Sequence, residues 1–234
     1  MSLPGTYAFF DLDGTLISEA SMITFLRHYL HAIHAPHGER HWRAFESVLA
    51  EKRGQTPREA LNAWYYAQYL QGARVATLRD IAQAWLDERR DRAGFFKTAP
   101  VERLQMHRSN GTPVVLLTGS FREIVQPLAE LLGAEHIICA PLEEVDGSYT
   151  GRLMAAPTIG AGKLQAIRAF LSARGADPLD CYGYGDDDSD LPFLQYIGRP
   201  HAVADGTPSL LAYARKRGWP MIGASQPLVD AAAV

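Results

Sequence analysis

An acidic pair stands near the start of the chain, where the apolar residues 7–10 run into residues 11–15, with the sequence DLDGT. In an extended strand, residues two apart point the same way, so the carboxylates of Asp11 and Asp13 are predicted to lie side by side. Like charges this close need a cation, and Mg²⁺ prefers oxygen ligands. One aspartate could attack phosphorus and the other could move protons. An Asp-rich turn without chemistry is the alternative for so short a pattern.

A second acidic cluster occupies residues 185–190, with the sequence GDDDSD, after the apolar residues 181–184. A divalent cation would offset the repulsion among its carboxylates. A solvated acidic turn is the alternative, whereas the spacing and distal Glu of an EF-hand are absent.

Residues 118–120, Thr118, Gly119 and Ser120, follow an apolar strand and precede a helical pattern. A hydroxyl, a permissive glycine and the N–H groups of a helix N-terminus can hold a phosphate. Ser120 and Glu123 also have the capping-box form, so helix capping is a second interpretation.

Lys163 opens another helical pattern after Gly160, Ala161 and Gly162. A cation is unfavourable at the positive end of a helix unless an anion lies nearby. A phosphate with its carboxylates would be such an anion, and a solvated surface lysine is the alternative.

The elements that must position these residues alternate between strand and helix after Pro100. Strands are predicted at residues 7–10, 113–118, 137–139, 181–184 and 201–204, helices at residues 120–133, 163–175 and 207–218, and a hairpin through Asp146-Gly147. This order indicates an α/β fold, a doubly wound and mainly parallel sheet with helices on both faces. Such sheets bind ligands beyond the carboxyl ends of their strands.

Residues 18–97 have helical spacing throughout and many aromatic residues. We expect an inserted α-helical cap at 18–97 and a catalytic core formed by 1–17 and 98–234. The aromatic residues 64–69 are predicted to pack helices together, with lining a pocket as the alternative. Five histidines between His28 and His41 favour a polar surface, because Pro36 interrupts any continuous helical stripe. A substrate-facing histidine or a transition-metal site is the alternative there.

The composition is that of a folded protein: 234 residues, 47% hydrophobic, 21% charged and a net charge of -3. There is no basic footprint for nucleic acid, no apolar run of about 20 residues for a membrane and no signal-peptide pattern. Cys139 and Cys181 are far apart and are expected to be buried free thiols. We therefore expect a cytoplasmic protein, monomeric or homodimeric, with no nucleic-acid or membrane partner.

Together the four motifs resemble the haloacid dehalogenase superfamily. That family has D-x-D-x-T, then a strand ending in Thr or Ser, then Lys, then G-D-x-x-x-D, and all four occur here in this order. The long helical insert, residues 146–151 (DGSYTG) and Leu191-Pro192 are similar to the phosphoserine-phosphatase-like branch, subfamily IB, with a helical cap at the first insertion position.

The resemblance implies a role for each motif. Asp11 would be nucleophile and Mg²⁺ ligand, and Asp13 would be the general acid and base and give its backbone carbonyl to the metal. Thr118, Gly119 and Ser120 would hold the phosphoryl group. Lys163 would balance charge around Asp11 and the phosphate, and Asp186 would bind Mg²⁺. At the same metal site, Asp190 would support Lys163 or a metal-bound water, and Asp187 would be an additional ligand.

Two positions differ from phosphoserine phosphatases. The glutamate at the entrance to the cap, which reads the substrate, is displaced by one residue: Ala20 stands at its position and Glu19 precedes it. Ser189 replaces the Asn that usually precedes the last acid. Glu19 remains the predicted substrate-binding residue of the cap, and both changes weigh against phosphoserine.

The predicted function is Mg²⁺-dependent hydrolysis of a small phosphorylated metabolite through an aspartyl-phosphate on Asp11. A phosphomutase on the same scaffold and a non-catalytic phosphate- or Mg²⁺-binding protein are the alternatives. Dehalogenation does not need the second aspartate, so Asp13 argues against it. Cleavage of a C–P bond would need a Schiff-base lysine, for which only Lys52 lies well inside the cap.

Overall fold

The computed structural model describes residues 5–223, and its centre is a six-stranded parallel sheet in the order β3-β2-β1-β6-β7-β8. The strands are β1 (Ala8–Asp11), β2 (Val114–Leu117), β3 (His136–Ile138), β6 (Tyr182–Gly185), β7 (Arg199–Val203) and β8 (Met221–Ile222). A separate antiparallel hairpin pairs β4 (Leu142–Val145) with β5 (Ser148–Leu153). The predicted mainly parallel α/β sheet and the hairpin are confirmed.

Alternation along each strand places a helical layer on both faces of the sheet. In β1, Ala8 and Phe10 join the core cluster beneath α5 (Thr98–Ser109) and α6 (Arg122–Leu132), whereas Phe9 joins the opposite cluster. That second cluster contains residues of α7 (Ala161–Ser172), α8 (Leu191–Leu194) and α9 (Pro208–Arg217). Because both faces are covered, the strands are apolar nearly throughout.

The strand order reverses between β1 and β6. β1 pairs with β2 on one side and with β6 on the other, so the loops that follow β1 and β6 leave toward opposite faces. A crevice opens at such a point beyond the carboxyl ends of the strands. Both acidic clusters stand there.

Four helices occupy the insert, as predicted: α1 (Ser21–Ile33), α2 (Gly38–Lys52), α3 (Arg58–Tyr69) and α4 (Val75–Asp87). Backbone hydrogen bonds tie the insert to the hairpin, from Gly72 N to the Tyr149 carbonyl (2.8 Å) and from Val75 N to the Gly147 carbonyl (3.0 Å). The two-residue turn of that hairpin has positive φ at Asp146 and Gly147, which the Asp-Gly pair favours. The hairpin therefore joins the insert to the sheet domain.

The capping box predicted at Ser120 and Glu123 is wrong. Helix α6 begins at Arg122, its N-cap is Phe121, and no side chain caps it. The Ser120 hydroxyl lies 2.5 Å from the Ser21 hydroxyl instead, and Glu123 accepts a hydrogen bond from the Tyr149 hydroxyl at 2.6 Å. Both side chains therefore bond to residues distant in the sequence rather than to the start of the helix. Helix α5 and strand β8 were not predicted.

The remaining expectations concern the surface and the cysteines. His31 lies within 3.3 Å of Glu39 and the His34 and His41 rings stack at 3.8 Å, and among residues 5–223 no histidine joins a metal-type cluster. Both cysteines are free thiols, although Cys139 is only partly buried. No helix in the described part of the chain is long and apolar enough to cross a membrane.

Candidate active site

The ends of β1 and β6 bring the two acidic clusters together. One carboxylate oxygen from each of Asp11, Asp186 and Asp190 lies within 4.8 Å of the others. Asp11 is the last residue of β1, and Asp186 directly follows β6. Parallel pairing of these strands is what makes residues 175 positions apart in the chain neighbours in space.

Lys163 is the cation at the centre of this cluster. Its Nζ donates to Asp11 Oδ1 at 2.5 Å and to Asp190 Oδ1 at 2.6 Å, and the residue is 4% exposed. Burial alone would lower the pKa of Lys163, but the two carboxylates outweigh it and hold that pKa above its usual value. The lysine lies in the first turn of α7, so the carboxylates also offset its unfavourable interaction with the helix dipole.

Asp190 is fully buried and both of its carboxylate oxygens are engaged. Oδ1 accepts from Lys163, and Oδ2 accepts from the backbone N–H groups of Asp186 (3.1 Å) and Asp187 (3.2 Å). Asp190 is therefore placed to orient the lysine and the acidic loop, and it has less capacity to bind a metal directly.

Asp11 and Asp186 are the carboxylates best placed to bind a cation. Burial raises the pKa of Asp11 well above its usual value, Lys163 opposes this, and Asp190 and Asp186 add to it. Burial also raises the pKa of Asp186 to about 6, although Thr15 donates to its Oδ1 at 2.7 Å. Buried carboxylates held this close favour a divalent cation among them. The donor set thus fits Mg²⁺.

Gly14 explains why the first loop can approach Asp186. Its φ is +82°, and a Cβ at this position would lie 2.2 Å from Asp186 Oδ2. Any other residue would push the two acidic loops apart.

Asp13 lies beside Asp11 on the cavity surface, and its Oδ1 is buried without a hydrogen-bond partner. Burial raises the pKa of Asp13 to about 6, which outweighs the opposing effects of Ser21 and Lys163. A carboxyl group that titrates this near neutrality can both donate and accept a proton.

Residues 118–120 form the third side of the site. Thr118 Oγ1 accepts from the Ser120 N–H at 3.1 Å, which orders the turn after β2. The Gly119 carbonyl accepts from the Tyr66 hydroxyl and from Asn62 Nδ2, the latter at 3.2 Å. Asn62 and Tyr66, both from the insert, therefore hold this loop in place.

A cavity of about 180 Å³ lies between the sheet and the insert, and its two sides differ in character. The side that we call the polar floor consists of Asp11, Asp13, Thr118, Gly119, Ser120, Lys163, Asp187 and Ser189. The side that we call the apolar wall consists of Met22, Ile23, Phe45, Leu49, Leu61, Trp64 and Tyr65, all from α1, α2 and α3. The aromatic residues Trp64 and Tyr65 both pack helices and line the cavity.

Two of the predicted site residues have other partners. Glu19 accepts from Arg89 Nε at 3.1 Å and does not line the cavity. Asp187 lines the cavity but pairs with Arg58, and hydrogen bonds from Ser189 together with that arginine lower its pKa despite partial burial.

Sequence reasoning missed Arg58 and Asn62, and it included Tyr66 only among the aromatic residues 64–69, without its contact to the Gly119 carbonyl. Arg58 is the first residue of α3 after Pro57, so it is a cation at the positive end of a helix. A cation at a helix N-terminus is the feature that pointed to Lys163, and it could have pointed to Arg58 as well. Asn62 and Tyr66 carry no comparable signal, because a polar residue on a helix most often faces solvent.

Comparison with known proteins connects this geometry to a family. The family model described as haloacid dehalogenase-like hydrolase matches residues 8–195. The chain is 32% identical over 230 residues to an inhibition of morphological differentiation protein of Streptomyces azureus, covering 97% of this chain and 81% of that protein. It is 29% identical over 245 residues to a probable phosphatase of Mycobacterium tuberculosis, covering 95% and 77%.

Solved structures give the same fold. A Bordetella pertussis Tohama I protein of unknown function superposes with a TM-score of 0.82 at 26% identity, over 94% of this chain and 99% of that one. A phospho-aspartyl intermediate analogue of phosphoserine phosphatase superposes with a TM-score of 0.62, over 94% and 93%. At 16% identity, this second likeness concerns the fold alone.

Proposed function

Because this chain belongs to the haloacid dehalogenase-like hydrolase family and is a phosphatase, we propose that it hydrolyses a small phosphomonoester through an aspartyl-phosphate on Asp11, with Mg²⁺ as cofactor. The observation that carries the proposal is the position of Asp11, which lies next to Asp13 on the polar floor and is hydrogen-bonded to Lys163.

In the first step an Asp11 carboxylate oxygen attacks phosphorus, and the bond from phosphorus to the ester oxygen breaks. Asp13 protonates the departing alkoxide, for which a pKa of about 6 suits it. Thr118 and the backbone N–H of Gly119, which line the same cavity as Asp11, would hold the phosphoryl oxygens. Lys163 offsets the negative charge that Asp11 and the phosphoryl group share.

In the second step water attacks the phosphorus of the aspartyl-phosphate. Asp13 accepts the proton of that water, the bond from phosphorus to Asp11 breaks, and free phosphate leaves. Mg²⁺, held by Asp11 and Asp186, would neutralise charge on the transferring group. Asp190 would keep Lys163 and the acidic loop in place, and Asp187 would be an outer support.

The helical insert, residues 18–97, would act as the cap, and 1–17 with 98–234 would form the catalytic core. Its apolar wall faces the polar floor, which supports a role in excluding water and selecting the alcohol. Two free cysteines support a reducing, cytoplasmic setting, with a small phosphorylated metabolite as substrate.

The test is release of phosphate from 4-nitrophenyl phosphate and from a panel of alkyl phosphates, in Mg²⁺ and in EDTA. We expect release in Mg²⁺, loss of it in EDTA and no turnover by Asp11→Asn. Asp91→Asn is the matched control, because the Asp91 side chain is 92% exposed and away from the cavity. A burst of alcohol ahead of phosphate would report the covalent intermediate.

Other outcomes contradict the proposal. Absence of release from every ester would favour the binding-protein alternative. Slow release that a sugar bisphosphate stimulates would favour the phosphomutase. Full activity of Asp11→Asn would remove the nucleophile from the mechanism.

A further inference from the structure

The apolar wall carries no charge to meet a charged leaving group. Among the described residues that line the cavity, the insert contributes no carboxylate. The charged residue that it does contribute, Arg58, is already paired with Asp187. A charge placed against such a wall would lose its water without gaining a partner, which is costly.

Glu19, the acidic residue nearest the cap entrance, is held away from the cavity. Arg89 binds it at 3.1 Å, and that arginine also donates to the Trp85 carbonyl at 3.1 Å and lies over the Trp85 ring at 5.3 Å. The Arg89 side chain is 11% exposed, and these three contacts hold it in place. A cationic group of the substrate would therefore have to displace Arg89 to reach Glu19.

Asn62 has a buried acceptor without a partner. The residue is 6% exposed and lines the cavity, and its Nδ2 donates to the Gly119 carbonyl and to Met22 Sδ, both at 3.2 Å. These two acceptors fix the orientation of the amide, because a flipped amide would set oxygen against oxygen. Its Oδ1 then has no hydrogen bond. Such an orphan acceptor is unfavourable, and a donor on the bound molecule would restore its missing hydrogen bond.

Ring contacts within the insert hold the aromatic part of the wall in place. The Phe45 and Trp64 rings are stacked at 6.1 Å with planes 10° apart, and Tyr65 meets Phe45 edge-on at 6.3 Å. The Tyr65 hydroxyl donates to the Met22 carbonyl at 2.9 Å, so the Tyr65 ring presents its apolar surface to the cavity. An apolar cavity of about 150 Å³ can hold benzene. The cavity of about 180 Å³ has to hold the phosphoryl group over the floor as well, so the leaving group has room for at most about one ring or a short alkyl chain.

We propose that the leaving group is an uncharged alcohol with an apolar body of about one ring, and that it carries one hydrogen-bond donor, which binds Asn62 Oδ1. The proposal rests on the phosphatase reaction and names its substrate class. It separates this chain from enzymes that act on phosphoserine, whose leaving group carries an ammonium and a carboxylate.

The first experiment compares esters that share one alcohol chemistry. The set is 4-methylbenzyl, 4-hydroxymethylbenzyl, 4-aminomethylbenzyl and 4-carboxybenzyl phosphate, with phosphoserine beside them. We expect kcat/KM to be at least tenfold higher for the two neutral esters than for the charged ones and phosphoserine. We also expect the hydroxymethyl ester to exceed the methyl ester about threefold. Equal or better turnover of phosphoserine would overturn the proposal.

The second experiment changes the wall with a matched pair in one helix. Ile23 lines the cavity, whereas Ile33 is 43% exposed at the other end of α1. Ile23→Glu should lower kcat/KM for the methylbenzyl ester at least tenfold and raise it for the aminomethyl ester, and Ile33→Glu should change neither. An unchanged preference in Ile23→Glu would remove the wall from substrate selection.

The role of Asn62 needs a readout that a merely structural role would not move. Asn62→Ala should slow both neutral esters, because it releases the Gly119 carbonyl. It should in addition abolish the advantage of the hydroxymethyl over the methyl ester. If that advantage persists in Asn62→Ala, the donor binds elsewhere and this part of the proposal is wrong.

Binding to Asp11→Asn separates this proposal from the phosphatase reaction itself. Calorimetry in Mg²⁺ should rank the neutral esters above phosphoserine by about tenfold in Kd. This ranking with no turnover by the unchanged protein would refute the reaction and uphold the substrate class. Turnover with the reverse ranking would uphold the reaction and refute the substrate class.

Discussion

The polar floor and the apolar wall face each other across one cavity, but they are held in place by different forces. On the floor, Lys163 joins Asp11 to Asp190 through charged hydrogen bonds of 2.5 and 2.6 Å. On the wall, Phe45, Trp64 and Tyr65 are positioned by ring contacts within the insert. A charged network has few arrangements that satisfy every member, whereas apolar side chains of similar volume can replace one another.

This difference implies a division of roles. If the proposed function is right, the floor must keep its residues in order to carry out phosphoryl transfer, whereas the wall can change to suit another alcohol. Substitutions on the floor should therefore act on chemistry and stability, and substitutions on the wall should act on the ranking of substrates.

The largest effect is expected for Asp13→Asn on the floor. The amide keeps the shape of the side chain but cannot protonate the leaving alkoxide. We expect kcat/KM for a benzyl ester to fall by about 10²–10⁴, the usual contribution of a general acid. The fall should be much smaller for 4-nitrophenyl phosphate, whose leaving group needs little protonation.

The comparison of the two esters is the internal control for Asp13→Asn. A wall variant such as Ile23→Glu should instead change the two esters according to the shape and charge of the alcohol. An equal loss for both esters in Asp13→Asn would mean that Asp13 does not protonate the leaving group.

The next effect concerns the stability of the floor. Lys163→Met leaves Asp11 and Asp190 buried without their cation, so the free energy of unfolding in urea should fall by about 3–5 kcal/mol. Adding Asp190→Asn should recover part of the loss, because one of the two unpaired charges is removed. Lys216→Met is the matched control on an exposed helix face and should change stability by less than about 0.5 kcal/mol.

The absence of recovery in the double variant would contradict this account. It would mean that the lysine contributes packing, for instance through its 5.9 Å approach to the Phe193 ring, rather than charge.

The pH dependence of stability should separate the floor from another buried titratable group, His107. His107 is 2% exposed and lies 2.7 Å from the Tyr184 hydroxyl, and burial lowers its pKa to about 4, with Arg103 and His201 adding to this. The unfolded chain takes up this proton near pH 6.5, whereas the folded chain resists it until about pH 4. The free energy of unfolding therefore keeps the full contribution of neutral His107 above pH 6.5. It loses that contribution, up to about 3 kcal/mol, as pH falls toward 4.

The measurement is urea unfolding at pH 8 and pH 4.5 for the unchanged protein and for His107→Gln, which can still bond to Tyr184. The variant should lose less stability on acidification. The buried carboxyl groups of the floor act in the opposite sense, because the pKa of Asp13 is raised rather than lowered. A parallel loss in both proteins would show that His107 is not the group responsible.

The floor could be predicted from the sequence because its chemistry restricts residue type. Carboxylates, a hydroxyl and a cation in this order suit the transfer of a phosphoryl group, and each follows a strand or opens a helix that periodicity reveals. The pairing of β1 with β6, which brings Asp11 and Asp186 together, comes from the structure.

The wall could not be predicted in the same way. Trp64 lines the cavity and Trp85 is fully buried in the core, yet both are aromatic residues at helical spacing. Pairings across long stretches of sequence were equally hidden. Ser120 does not cap a helix but contacts Ser21, which is 99 residues away in the sequence. Asp187 pairs with Arg58, which is 129 residues away.

The smallest effect is expected where floor and wall are joined. Arg58, at the start of α3, pairs with Asp187 of the acidic loop, and their side chains are 62% and 27% exposed. An exposed pair of this kind contributes about 0–1 kcal/mol to stability. We expect its effect on function to come through the fraction of molecules in which the insert is closed over the floor, since apparent affinity falls with that fraction. We expect Arg58→Met to raise KM about three- to tenfold with little change in kcat.

Arg53→Met is the matched control, because Arg53 is an exposed arginine of the same insert outside the cavity. Asp187→Asn should reproduce the effect of Arg58→Met, and the double variant should add nothing, because either change breaks the same pair. High salt should raise the KM of the unchanged protein toward that of the variants, since salt screens an exposed ion pair. If Arg58→Met still raises KM in the Asp187→Asn background, Arg58 contacts the substrate itself. The insert would then supply a positive charge to the ester from beside the apolar wall, and the division of roles between the charged floor and the insert would fail at Arg58.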